Sequence, residues 1–293
     1  MNRRLGILFI VISAASFGTL AILGRYAYAE GMDVYTILFL RFILAGALMA
    51  VLLAARRERL PVGADLLRLV GMGAIGYVGQ SFSYFSALKY ASAGLVALLL
   101  YLYPAFVALL SAIFLRERIL PIKWLALALA LVGTALTVGP AGGQLAGILL
   151  AISAAAIYSV YIIVGAGVMK RVSAFQSSAV IFAAAGVTYG GLSFASGPHF
   201  PVTLTGWAVI FALVIIATIV PVVTFLAGLE RLGPTNAAMF STLEPVVTVL
   251  LAAVLLNERL APVTLLGGGL ILLAVLLLSH SELRQAAVPP FHE

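Results

Sequence analysis

Residues 103–121, YPAFVALLSAIFLRERILP, and residues 244–262, EPVVTVLLAAVLLNERLAP, carry one pattern twice, 141 positions apart. In each copy proline stands second, an apolar run follows, then a Glu-Arg pair, and a proline closes the stretch. The same offset extends outward without a gap. Gly6-Ile7-Leu8 falls on Gly147-Ile148-Leu149, Ala14-Ala15 on Ala155-Ala156, Pro104 on Pro245, Glu117-Arg118 on Glu258-Arg259 and Pro121 on Pro262. One constant offset through several separated apolar segments marks a duplicated structural unit.

The composition says what surrounds that unit. Of 293 residues, 63% are hydrophobic and only 9% are charged, where a soluble domain carries roughly a quarter charged residues to cover its surface. The lipid bilayer is therefore the expected solvent, and in it every backbone polar group must be satisfied inside a helix or a closed barrel. The apolar runs last about 18–25 residues, a membrane-crossing helix length, and lack the alternation of barrel strands. Breaks at charge, Gly or Pro predict ten spans near 5–28, 34–55, 66–88, 91–115, 121–138, 145–169, 174–195, 205–229, 234–256 and 262–279. The start, Met1-Asn2-Arg3-Arg4 and an apolar run, resembles a signal peptide. The run reaches about Leu23, beyond the 7–15 residues of a typical signal core, and reads as a retained first helix.

The net charge of +7 is the membrane kind rather than a nucleic-acid patch. With the N-terminus inside, thirteen Lys and Arg residues fall on cytoplasmic segments, among them Arg56, Arg57, Arg59, Lys170 and Arg171, against only Lys89 and Arg259 outside. That asymmetry predicts cytoplasmic termini. Five spans per unit is an odd number, so the second copy enters the membrane from the opposite side. The fold class expected is an all-α membrane protein of ten transmembrane helices in two inverted five-helix repeats, an arrangement that places substrate sites at the midplane between halves.

The residues Tyr103-Pro104 and Glu244-Pro245, followed by Arg116-Glu117-Arg118 or Asn257-Glu258-Arg259 and then a proline, resemble the duplicated EamA-type unit of the drug/metabolite transporter superfamily. Within it the sequence looks most like the YddG-type exporters of aromatic amino acids. The resemblance implies a first repeat at 1–139, an inverted second repeat at 145–279 and a cytoplasmic tail at 280–293. It also implies a central cavity and export across a bacterial inner membrane.

Glu244 is the only carboxylate deep inside a predicted span. Such a charge usually faces a cavity or a partner, so it can exchange a proton or hold a substrate ammonium. The alternative is a structural acceptor for Ser241, Thr242 or a backbone N–H near Pro245. Tyr77, Gln80, Ser81 and Tyr84 follow i, i+3, i+4, i+7 spacing and share one helix face. Two phenols, an amide and a hydroxyl suit a cavity that stacks planar solutes, or else interhelical hydrogen bonding. Tyr101 and Tyr103 precede Pro104, which is expected to bend its span. Two positions apart, the tyrosines are expected to point differently, one of them toward the cavity. Tyr158 and Tyr161 form a further i, i+3 pair. Arg41, inside the second span, can meet a substrate carboxylate, but snorkelling or pairing with Asp33 or Glu30 is the stronger reading.

Other motifs carry no chemistry. Gly71-x-Gly73-x-x-Gly76 lies in an apolar helix without a preceding strand and reads as close helix packing, like Gly186-x-x-x-Gly190 and Gly267-Gly268-Gly269. His199, His280 and His292 lack ligand spacing, cysteine is absent, and neither a metal nor another cofactor is expected. No nucleophile, base and orienter converge, so an enzyme is not expected. The implied solute is an amino acid, aromatic ones favoured. Efflux of cationic drugs past Glu244 and aromatic walls is the transporter rival, and a non-transporting membrane scaffold is the rival from another class.

Overall fold

The computed structural model describes residues 3–87, 90–91, 96, 99–138, 144–255 and 261–287, and these are overwhelmingly helical. In chain order the helices are α1 (Arg3–Phe17), α2 (Leu20–Ala29), α3 (Val34–Ala55), and α4 (Gly63–Gly71), which continues through a π-helical turn (Met72–Tyr77) into α5 (Val78–Ala87). Next come α6 (Tyr103–Phe114), α7 (Pro121–Val138), α8 (Leu145–Val168), α9 (Ala174–Ser196), and α10 (Leu204–Val214), which passes through a second π turn (Ile215–Ile219) into α11 (Val220–Leu232). Then α12 (Pro234–Phe240), a 3₁₀ turn (Ser241–Leu243), α13 (Glu244–Leu255) and α14 (Pro262–Ala287) complete the described chain. Among the described residues, five helical stretches are long and apolar enough to cross a bilayer: Arg3–Ala29, Val34–Ala55, Leu145–Val168, Ala174–Ser196 and Leu204–Leu232.

Local sequence sets the helix starts. The Asp33 carboxylate accepts from the N–H of Tyr35 and Thr36 at 2.9 and 3.0 Å and caps α3. Ser173 and Gln176 exchange bonds in a capping box that opens α9. Thr203 Oγ accepts from Gly206 N at 2.8 Å and opens the α10 stretch. Each cap supplies about 0.5–2 kcal/mol and fixes where an otherwise uniform apolar run begins. Gly233, at φ 78°, ends α11 in a conformation that favours glycine and hands over directly to Pro234.

The packing relates the halves. Gly46 meets Ala183, Gly186 meets Ile43 and Gly190 meets Phe39, while Thr36 Oγ lies 3.1 Å from Ser193 Oγ. Residue numbers rise along α3 as they fall along α9, so these two helices, equivalent under the 141-residue offset, run antiparallel. The pair α7 and α14 does the same: Ala126 and Leu127 lie near Leu278, and Gly133 lies against Gly267 and Ile271. The remaining large contacts cross over. Helix α1 packs on α11 and α5 packs on α8, and the offset exchanges α1 with α8 and α5 with α11. Swapping the halves therefore maps one contact onto the other, as a pseudo-two-fold requires. Close approach matters at Gly186, where a Cβ would stand 2.8 Å from the Ile43 nitrogen.

The polar ends of α3 and α9 divide accordingly. At one end Arg171 holds Asp65 at 2.7 Å, Ser173 Oγ donates to Glu58, and Gln176 Nε2 donates to the Arg59 carbonyl at 2.6 Å. The hydrogen bond from Arg171, with its charge, keeps the Asp65 carboxyl below its ordinary pKa, so this link holds until acid takes the pH beneath that lowered value. At the other end Thr203 donates to Glu30, and the His199 backbone N–H reaches Asp33 at 3.2 Å. The basic segments at Arg56–Arg59 and Lys170-Arg171 are thus together at one end.

Several sequence expectations change. The region near 91–115 is not one helix: residues 101–102 form a turn and α6 starts at Tyr103. Pro104 therefore sits in a helix's first turn, where its missing N–H costs nothing, rather than bending a continuous helix. The ninth predicted span is likewise broken at Ser241–Leu243, and the first at residues 18–19. The last helix runs to Ala287, past the end expected at 279, because the polar residues after the apolar run continue the helix. Among the glycines expected to pack closely, Gly73, Gly186 and Gly190 do, whereas a Cβ at Gly71, Gly268 or Gly269 would meet nothing within 4 Å among the described residues. Lys89, Glu258, Arg259, His292 and positions 139–143 lie outside the described residues.

Candidate functional site

The two helix breaks, at 101–102 and at 241–243, are equivalent under the repeat offset. Glu244 stands just after the second, as the first residue of α13, with its carboxylate at the helix end that favours negative charge. The Tyr101 phenol bonds to this carboxylate, and the Tyr103 phenol to the Ser241 hydroxyl. Both tyrosines are buried, with ring centroids 6.5 Å apart. The expectation that only one would face inward fails because Tyr101 is in a turn, where helical spacing does not apply.

The structural alternative for Glu244 loses its two hydroxyl donors. Ser241 Oγ donates to the Ala237 carbonyl at 2.9 Å and Thr242 Oγ to the Met239 carbonyl at 2.6 Å. Local hydroxyls thus cap their own helix turns. A charge at this depth costs about 2.5–3.5 kcal/mol to insert and calls for a compensating role.

Around Glu244 the tyrosines form a continuous set. Tyr103 meets Tyr158 edge-on at 4.8 Å and 65°, Tyr158 stacks on Tyr161 at 5.9 Å and 24°, and Tyr161 meets Tyr77 at 5.7 Å and 87°. Tyr77 continues to Phe42 at 5.0 Å and 74°. Such geometries are worth about 0.5–1.5 kcal/mol per pair beyond burial. Ser159 Oγ ties α8 to the broken helix by donating to the Tyr103 carbonyl at 3.2 Å. The Tyr161 hydroxyl is buried with no partner among the described residues.

The face of Tyr77, Gln80, Ser81 and Tyr84 is only partly shared. Tyr77 closes the first π turn and joins the ring set, and Ser81 is buried and bonds to Tyr189. Gln80 accepts from Ser81 Oγ at 3.3 Å. Tyr84 instead packs beside a separate small cluster of Ala87, Val96 and Ala151, although its phenol still feels the Glu244 carboxylate.

Arg41 overturns its expected placement. It neither snorkels nor pairs with Asp33 or Glu30. It is 4% exposed, its Nε donates to Thr218 Oγ at 2.6 Å and its Nη2 to the Ala217 carbonyl at 2.9 Å. Both acceptors belong to the second π turn, a helix distortion often found at functional sites. Sequence reasoning also missed Phe42, Tyr189 and Phe225, which stacks on Tyr158 at 6.4 Å. Tyr189 carried the same mid-span signal as Tyr158; the two phenylalanines carried none.

Paired broken helices, exchangeable halves and a half-buried carboxylate beside phenols suit a membrane transporter. The chain belongs to the EamA-like transporter family, whose pattern matches residues 4–139 and again residues 145–280. It is 24% identical over 293 residues to the uncharacterized transporter YcbK of Bacillus subtilis (strain 168), covering 95% of this chain and 94% of that one. It is 27% identical over 279 residues to an uncharacterized transporter of Archaeoglobus fulgidus, covering 94% and 96% respectively. A solved crystal structure superposes with a TM-score of 0.83 at 25% identity, covering 94% of this chain and 98% of the other. None of these relatives carries a substrate name.

Proposed function

We propose that the protein exports amino acids, aromatic ones favoured, and related small metabolites across a bacterial inner membrane. In this reading ten spans form two inverted five-helix repeats, at 1–139 and 145–279, with both termini cytoplasmic. Alternating access follows from rocking the exchangeable halves about the broken helices. The observation that carries the reading is the tyrosine set, Tyr77, Tyr101, Tyr103, Tyr158 and Tyr161, gathered beside Glu244. Planar rings stack on such walls, and a carboxylate suits an ammonium group or a transported proton. Cationic drug efflux remains the second reading, since the same carboxylate and rings attract an organic cation.

Proteoliposomes separate the two. Counterflow of labelled tryptophan, phenylalanine, alanine, a sugar and a quaternary ammonium dye is measured in parallel. Saturable exchange of the aromatic amino acids above alanine supports the proposal. Exchange of the dye without any amino acid moves the assignment to drug efflux, and exchange of nothing leaves the scaffold reading.

A further inference from the structure

Arg41 presents a buried positive charge whose known partners are all neutral. Its hydrogen bonds go to the Ala217 carbonyl, the Thr218 hydroxyl and the Tyr77 phenol, its guanidinium carbon lies 5.0 Å from the Phe42 ring centroid, and the Tyr189 phenol is nearby. No carboxylate among the described residues is in ion-pair contact with it. An arginine has five N–H donors, and the bonds to Ala217, Thr218 and Tyr77 leave two for other groups. Buried cations are normally paired, so a charged group in this position points to an acceptor that comes from outside the chain.

Two further observations give that acceptor a chemistry. Tyr77 bonds to Arg41 and also feels the Glu244 carboxylate. Tyr161, which meets the Tyr77 ring at 5.7 Å, has a buried hydroxyl with no partner among the described residues. Guanidinium and phenol are both donors, and a carboxylate is an acceptor with room for several of them. Glu244, whose charge reaches Tyr77, supplies the opposite charge.

We propose that Arg41 is the carboxylate-binding group of the solute site, with the Tyr77 and Tyr161 hydroxyls as secondary donors. The proposal rests on the amino-acid reading above and adds the residue that recognises the acid end of the solute. The bonds to Ala217 and Thr218 then have a second meaning. They hold α3 to the second half while the site is empty, and a carboxylate competes for the same guanidinium with charge-assisted bonds that a neutral carbonyl cannot match. Solute binding thereby loosens one contact between the halves.

The test uses the purified full-length protein and four ring-matched ligands: phenylalanine, phenylalaninamide, phenethylamine and 3-phenylpropionate. Binding is read by thermal stabilisation, and transport by counterflow in proteoliposomes. In the wild type the two carboxylates should bind about ten- to a hundredfold more tightly than the amide and the amine, the range for one charged hydrogen-bonding partner. In R41Q the carboxylate-to-amide ratio should collapse toward one, and R41K, which keeps the charge but not the fork, should fall between. A wild type that binds the amide as tightly as the acid overturns the proposal without any variant. So does an R41Q protein that folds and keeps the wild-type ratio, which would make Arg41 a latch only. A wild type that prefers phenylpropionate yet rejects phenylalanine keeps the Arg41 site and removes the amino-acid reading.

Discussion

Replacing Tyr103 by alanine separates a stacking site from ordinary helix packing. The ring is 3% exposed, meets Tyr158 at 4.8 Å and stands 6.5 Å from Tyr101, beside the break that precedes Glu244. A solute ring lying against it gains about 0.5–1.5 kcal/mol beyond burial, which is about a 2- to 13-fold difference in apparent affinity. An aliphatic amino acid has no ring to lose that contact. Tyr103→Ala should therefore weaken tryptophan and phenylalanine efflux by that factor more than alanine efflux, measured from preloaded liposomes and normalised to inserted, folded protein. Tyr103→Phe keeps the ring, loses only the bond to Ser241, and should keep most of the selectivity. Tyr84→Ala is the internal control, because that ring packs beside Ala87, Val96 and Ala151, so its aromatic-specific loss should be smaller. Equal losses for aromatic and aliphatic solutes in Tyr103→Ala would refute the stacking argument and return these rings to a packing role.

Three further outcomes follow from the same geometry. Glu244→Gln should insert and fold but transport without pH dependence, because the amide keeps the size and an acceptor yet cannot ionise; an unchanged pH profile of transport contradicts this. A cysteine placed by Arg57→Cys should resist an impermeant thiol reagent in intact cells and react after permeabilisation, since the Arg56–Arg59 segment lies with Lys170-Arg171 at the basic end; labelling in intact cells reverses the orientation. Gly186→Val should lower the melting temperature or the folded yield, because its Cβ would meet the Ile43 backbone at 2.8 Å and overpacking costs about 1–3 kcal/mol; a wild-type melting curve would show that α3 and α9 are not in close contact.

The fold was legible where sequence carries a long-range constraint. The constant offset survives in Pro104, Pro121, Pro245 and Pro262, each of which stands in the first turn of a helix, and α3 and α9 run antiparallel as inverted repeats predict. Helix continuity was not legible. The breaks before Tyr103 and Glu244 lie inside apolar runs, where hydropathy registers solvent and not hydrogen-bond register, and a proline reads equally as a kink or as a start. The tyrosines around Glu244 were visible one by one as mid-span phenols. Their contacts were not, because Tyr103 to Tyr158 and Tyr161 to Tyr77 join different helices. Arg41 was misplaced for the same reason: spacing from the span end suggests Asp33, while the acceptors that hold it come from a π turn near residue 217, which leaves no mark in the residue pattern.

The central claim is that a solute site lies between the halves and opens to each side in turn. Ser81 is buried beside Tyr189 within reach of that site, and the chain has no cysteine, so Ser81→Cys gives one reporter thiol. Its reaction with an impermeant reagent is followed from outside and from inside proteoliposomes, with and without phenylalanine. The account predicts reaction from both sides, slowed by phenylalanine and not by alanine at equal concentration. A folded variant whose thiol never reacts, or reacts from both sides at rates that phenylalanine does not change, would contradict it.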